Sequence, residues 1–106
     1  MSYTLSKQSL IDKFGFDEDD IVMLFSVFLK SAKDNLDKLD TAIQNNDYDA
    51  IYMSAHNLKG SSGNMLLNEA YELSKEIEEA SRNKKEIDYQ SLFEKMNEIF
   101  KNLTLV

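Results

Sequence analysis

The chain holds one histidine, His56, and no cysteine. There is accordingly no thiolate nucleophile, thiolate metal site or disulfide framework, and attention falls on a single imidazole. His56 sits in Tyr52-Met53-Ser54-Ala55-His56-Asn57-Leu58-Lys59-Gly60-Ser61-Ser62-Gly63-Asn64, which carries two of the three glycines of the chain. Drawn as a helix at about 100° per residue, Ile51, Ala55, Leu58 and Ser62 share a narrow arc, and His56 lies roughly 130° from its centre. The arc is the buried stripe, so the imidazole is expected in solvent. Tyr52 lies one turn before His56, with Lys59 and Gly60 one turn after, all on the same patch.

An exposed imidazole is partly neutral near pH 7, and a neutral ring nitrogen is a nucleophile toward phosphorus. Lys59 would place a mobile positive charge where a phosphoryl group on His56 would sit. Gly60 has no side chain to crowd that group. A glycine inside a helix costs about 1 kcal/mol relative to alanine, so two beside the histidine need a reason. The plainer alternatives are that the glycines mark a helix end, with Ser61 and Ser62 as small packing or capping residues, and that Lys59 is a solvated lysine.

Other chemistries find less support. One histidine cannot build a metal site alone, so neither a metal nor a cofactor is expected. No Gly-rich nucleotide loop appears, so ATP binding and self-phosphorylation are not expected. A hydrolase using His56 as general base lacks a nucleophile or carboxylate partner at recognisable spacing.

The elements that must position this patch are helical. With 106 residues and no proline, the chain suits one domain, residues 1–106, with long helices uninterrupted except near its glycines. Ser6 caps a short helix running to about Phe14, with Leu10, Ile11 and Phe14 on one side and Gly15 as terminator. Asp17 opens a long amphipathic segment carrying Ile21, Leu24, Phe25, Phe28, Leu29, Ala32, Leu36, Leu39 and Ile43. Asn45, Asn46 and Asp47 form a short break, and Asp47 caps the histidine helix.

After Gly60 to Gly63 a further helix follows, with Leu66, Ala70, Leu73, Ile77 and Ala80 on one face, ending in the polar run from Ser81 to Lys85. A last helix runs from about Asp88 to Leu103 with Leu92, Phe93, Met96, Ile99, Phe100 and Leu103 at helical spacing. The expected fold is all-α: an antiparallel up-down-up-down four-helix bundle with a short additional N-terminal helix. Asp17 to Asp20 and Glu76 to Glu79 read as solvated surface and dipole complement.

The formal net charge of −7 has the wrong sign for a nucleic-acid binder. The first residues hold no apolar signal core, and the Ile21 to Leu29 stretch is too short to span a bilayer. A cytoplasmic monomer is expected, with no membrane partner.

The segment AHNLKGSSGNM resembles the signature of histidine-containing phosphotransfer (HPt) domains, in which the active histidine is followed by Leu-Lys-Gly and small residues. The similarity extends to the layout of nearly the whole chain, and the fold it implies is a four-helix bundle with an extra short helix. It implies that His56 is phosphorylated, that Lys59 stabilises the phosphate, and that Gly60 gives clearance. It further implies a phosphocarrier without kinase activity of its own, exchanging phosphoryl groups with receiver-domain aspartates of response regulators and hybrid sensor histidine kinases. Any Mg²⁺ would belong to the receiver.

Tyr52, Met53, Asn57, Gly63 and Asn64 are the candidate partner-binding residues around the histidine. Glu78 stands where some relatives place a polar side chain near it, and either orients the ring or lies on a solvated face, the latter being slightly favoured. Leu66 stands where many relatives have glycine and Ser74 where many have cysteine, both read as packing differences. The competing reading is a non-catalytic helical adaptor that binds receivers or kinases without using His56.

Overall fold

The computed structural model describes residues 2–106 as five helices and one pair of short strands, in the order β1 (Tyr3–Leu5), α1 (Lys7–Phe14), α2 (Glu18–Gln44), α3 (Tyr48–Asn64), α4 (Asn68–Arg82), α5 (Tyr89–Lys101) and β2 (Leu103–Leu105). Four of the helices begin where a short polar side chain satisfies a free backbone N–H. Ser6 accepts from Ser9, Asp17 from Asp20, Asp47 from Ala50 and Asp88 from Ser91. The first turn of α2 adds Glu18, Asp19 and Asp20 at the positive end of its dipole. α4 starts without a side-chain cap, at Leu67, directly out of the turn that ends α3.

The helix ends explain that turn. α2, α3 and α4 each finish on a left-handed residue, Asn46, Leu66 and Lys84 with φ of 52°, 61° and 51°. In each the left-handed residue and its successor donate back into the last helical turn, as Leu66 to Gly63 and Leu67 to Ser62 in α3. This is the Schellman arrangement, in which glycine is preferred because a Cβ is crowded there. Gly15, at φ 71°, closes α1 with a single bond to Ile11.

Helix α2, 27 residues long, runs for about 40 Å and sets the 43 Å long dimension of the molecule. Only three residues separate it from α3, so the two pack as a helical hairpin. α3 packs most extensively on α4, α5 closes against α2 and α4, and α1 rests on α2. The core joins Leu10, Ile21, Phe28, Leu36, Leu39, Ile51, Leu58, Ile77, Met96 and Ile99, the apolar positions that recur at helical spacing in the sequence.

α3 continues through both glycines to Asn64, as a stripe reaching Ser62 implies, and packing against α4 offsets the poor helix propensity of glycine; the alternative in which the glycines mark the helix end does not hold. Two expectations need correction. α5 stops at Lys101, since Leu103 belongs to β2. The strands themselves are not anticipated by the helical reading. β1 and β2 pair in parallel, Tyr3 with Leu103 and Leu5 with Leu105, and bury Leu5 and Leu103. Three residues are too few to show a period of two in the sequence, and such a strand exists only through its partner.

Candidate functional site

The middle of α3 turns Ile51, Ser54, Ala55, Leu58 and Ser62 inward, which leaves the opposite side of the helix to solvent. The His56 side chain is 52% exposed there. Its ring stacks on Tyr52 one turn earlier, with centroids 5.8 Å apart and planes 17° from parallel. The Arg82 guanidinium, from the end of α4, lies over the Tyr52 ring, 5.5 Å from its centroid. On the α2 side, Asn57 donates to the Asn35 side chain at 3.2 Å, and Asn35 donates to the Ser31 carbonyl.

Glu78 ties the site together. Its side chain is only 2% exposed, and both carboxylate oxygens are occupied. Oε2 lies 2.8 Å from His56 Nδ1; Oε1 accepts from Lys59 Nζ at 2.8 Å and from Arg82 Nη2 at 3.2 Å. Burial pushes the Glu78 carboxyl up, but the hydrogen bonds from Lys59 and His56, with their charges, outweigh it and hold the group below the ordinary carboxylate range. The Glu78 hydrogen bond in turn raises the Lys59 ammonium above its usual value against the opposing effect of burial.

An ionised carboxylate can only accept, so Nδ1 of His56 carries the hydrogen it donates to Glu78. The proton of the neutral ring is then committed to Nδ1, and Nε2 keeps its lone pair. A half-exposed ring with a free lone pair on one nitrogen, oriented by a buried anion, is a nucleophile held ready for an electrophile brought from outside.

Residues 23–104 match the family model of the Hpt domain. This chain belongs to the Hpt domain family. Among solved structures it is similar to histidine-containing phosphotransfer protein B (HptB) of Pseudomonas aeruginosa PAO1, with 31% identity over 90% of this chain and 80% of that one, and a TM-score of 0.73. No curated protein sequence matches it. As an Hpt domain it is a phosphotransfer intermediate of two-component signalling.

Within this Hpt domain the expected residues fall out unevenly. His56, Asn57, Gly60, Met53 and Asn64 are exposed along α3, and Tyr52 is half-buried beneath the stacked ring. A Cβ built on Gly60 would meet nothing within 4 Å, so no packing contact requires glycine at that position. Gly63 turns toward α4 instead, where a Cβ would stand 3.2 Å from the Tyr71 ring; close helix approach accounts for it. Ser61 donates back to the Asn57 and Leu58 carbonyls, and Ser62 is fully buried.

Three expectations are overturned here, those for Glu78, Lys59 and Leu66. Glu78 is not on the solvated acidic face with Glu76 and Glu79; the α4 face that carries it packs on α3, and three cationic or N–H donors repay its burial. Lys59 is not a freely mobile cation, since its ammonium is held on Glu78. Ser74 does concern packing: it is buried, bonding the Ala70 carbonyl and lying 3.1 Å from the Met96 sulfur. Leu66 does not, being 41% exposed.

Arg82 and Asn35 are site residues the sequence reading missed. Arg82 lies four residues after Glu78, the spacing of a helical ion pair. Asn35 is a polar residue beside Leu36 and Ala32 on an otherwise apolar stripe. Each is a signal, but neither singles out the histidine as its neighbour.

Proposed function

We propose that His56 is the phosphoryl carrier of this Hpt domain and that Nε2 is the atom that bears the group. The observation that carries this is the 2.8 Å contact of Nδ1 with buried Glu78, which leaves Nε2 as the free nucleophile. The Nε2 lone pair attacks the phosphorus of an aspartyl phosphate on a receiver domain. The N–P bond forms as the bond to the aspartyl oxygen breaks, and the carboxylate leaves. The reverse sequence hands the group to a second receiver. Catalysis by this chain is positioning and electrostatics, with no kinase activity of its own.

Lys59 and Arg82 share Glu78 Oε1, so either ammonium or guanidinium can turn to the arriving phosphoryl oxygens while the other stays on the carboxylate. Gly60 leaves the space one turn away open. Tyr52, Met53, Asn57 and Asn64 would form the partner-binding face, with Gly63 on its α4 edge. The reading takes residues 1–106 as one domain, with α2 to α5 as an up-down-up-down bundle and α1 added to it. It acts as a monomer between a sensor histidine kinase or hybrid kinase receiver and a response regulator. No helix among the described residues is long and apolar enough to cross a membrane; the reading places the domain in the cytoplasm.

The test is to treat the protein and its His56→Gln variant with phosphoramidate and follow intact mass, acid lability and base stability, then add a receiver domain. One acid-labile, base-stable phosphoryl group that requires His56 and moves to the receiver is the expected result. Equal modification of the variant, or none of the wild type, refutes the assignment and favours a non-catalytic adaptor.

A further inference from the structure

Leu66 is the anomaly of the fold. Of the three left-handed residues other than glycine that close helices, Asn46 is a type that tolerates this backbone and Lys84 lies in an exposed polar turn. Leu66 is apolar and crowded at its Cβ, yet its side chain is 41% exposed and lies outside both the core and the half-buried shell around it. The apolar contact such a turn requires is made by the next residue, Leu67, which is 6% exposed. Neither the turn nor the core explains a leucine at this position. An unfavourable conformation that burial does not offset points to a role outside the fold.

Its location suggests which role. His56, Gly60 and Asn64 form one exposed row along α3, and Leu66 follows directly at its end. His56 and Asn64 are about 12 Å apart along the axis. On the facing helix of the hairpin, the Asn57–Asn35 hydrogen bond sets the register. Met23 and Val27, exposed by 67% and 60%, continue the row of Ser31 and Asn35 and come level with the end of α3. By this register Leu66 lies near the level of Val27, beyond the end of the histidine row.

The occupant of this patch follows from the reaction. A receiver must bring its aspartate to Nε2 of His56, and a standard interface covers about 800 Å² per partner, a disc of roughly 16 Å radius. Leu66, ten residues after His56 and so about 15 Å away along the axis, falls at the rim of the area such a partner would cover. We propose that Leu66 is a specificity-determining contact for the receiver domain, inserting into an apolar recess on receivers that possess one and disfavouring those that present a polar group there. This rests on the reading of His56 as the phosphoryl carrier.

The test loads wild type, Leu66→Gly and Leu66→Met with phosphoramidate. Transfer is then followed against the concentration of whichever purified receiver domain, from a panel, unloads the wild type fastest. Leu66→Gly is expected to melt higher than wild type, because glycine is at ease at φ 61°, and to need at least about fivefold more receiver for half-maximal transfer. Leu66→Met, which keeps an apolar side chain, is expected to stay close to wild type. An unchanged half-maximal concentration in Leu66→Gly, or equal weakening in both variants, overturns the proposal and leaves the His56 assignment standing. A wild type that never loads overturns both, and the loading step tells the two failures apart.

Discussion

Nδ1 of His56 and Oε2 of Glu78 stand 2.8 Å apart across the packed faces of α3 and α4, the ring half in solvent and the carboxylate buried. The contact ties an exposed ring on α3 to a buried side chain of α4. Glu78 also holds Lys59 and Arg82, so one buried charge binds the ring and two cations together.

Glu78→Gln tests this directly. The amide has nearly the same shape and can still accept from Nδ1, but it no longer carries the charge that orders Lys59 and Arg82. Phosphorylation of His56 by phosphoramidate is expected to slow by about tenfold, with the helical CD spectrum unchanged. A rate equal to wild type would show that the ring is oriented without the carboxylate.

Gly60→Ala separates stability from activity. Nothing lies within 4 Å of the added Cβ, so the variant should gain about 1 kcal/mol from helix propensity alone. Transfer to a receiver should fall, because the methyl group enters the space beside the phosphoryl group. Thermal melts and transfer rates on one preparation would reveal both. Gly63→Ala should gain less stability, since the Tyr71 ring must move to admit it.

The acid limb of stability should report on Glu78. Its carboxyl titrates lower in the folded protein than in the unfolded chain. Its contribution is therefore whole above the ordinary value of 4.5 and is lost as pH falls through the lowered native value. Denaturant unfolding should show wild type more stable than Glu78→Gln near neutral pH, with the gap shrinking below pH 4.5. A gap independent of pH would mean that Glu78 acts through shape and not charge.

Ser62→Ala should stabilise the protein. The Ser62 hydroxyl is buried and lacks a hydrogen-bond partner among the described residues, and an unpaired buried hydroxyl costs about 1–3 kcal/mol. Urea unfolding should show a gain of about 1 kcal/mol after allowance for the lost contacts. A loss of stability would mean that the hydroxyl finds a partner in solution.

Where the helices lie and which side of α3 reaches solvent are legible in the chain before it is folded. Those properties depend on caps and on a period of 3.6 residues, both of which are local: Ser6, Asp17, Asp47 and Asp88 each act within three residues, and the Ile51-Ala55-Leu58 stripe defines its own opposite face. The motif around His56 likewise lies within two turns of one helix, so the histidine, its lysine and its glycine were legible together. The roles of Glu78, Arg82 and Asn35 emerge only from packing, because a carboxylate 22 residues from His56 becomes its partner only when α3 and α4 meet. The same holds for Gly63 against Tyr71, for the β1–β2 pair joining opposite ends of the chain, and for the outward side chain of Leu66. Spacing in the sequence states which residues share a helix face; which face meets which is settled by burial, summed over the whole bundle.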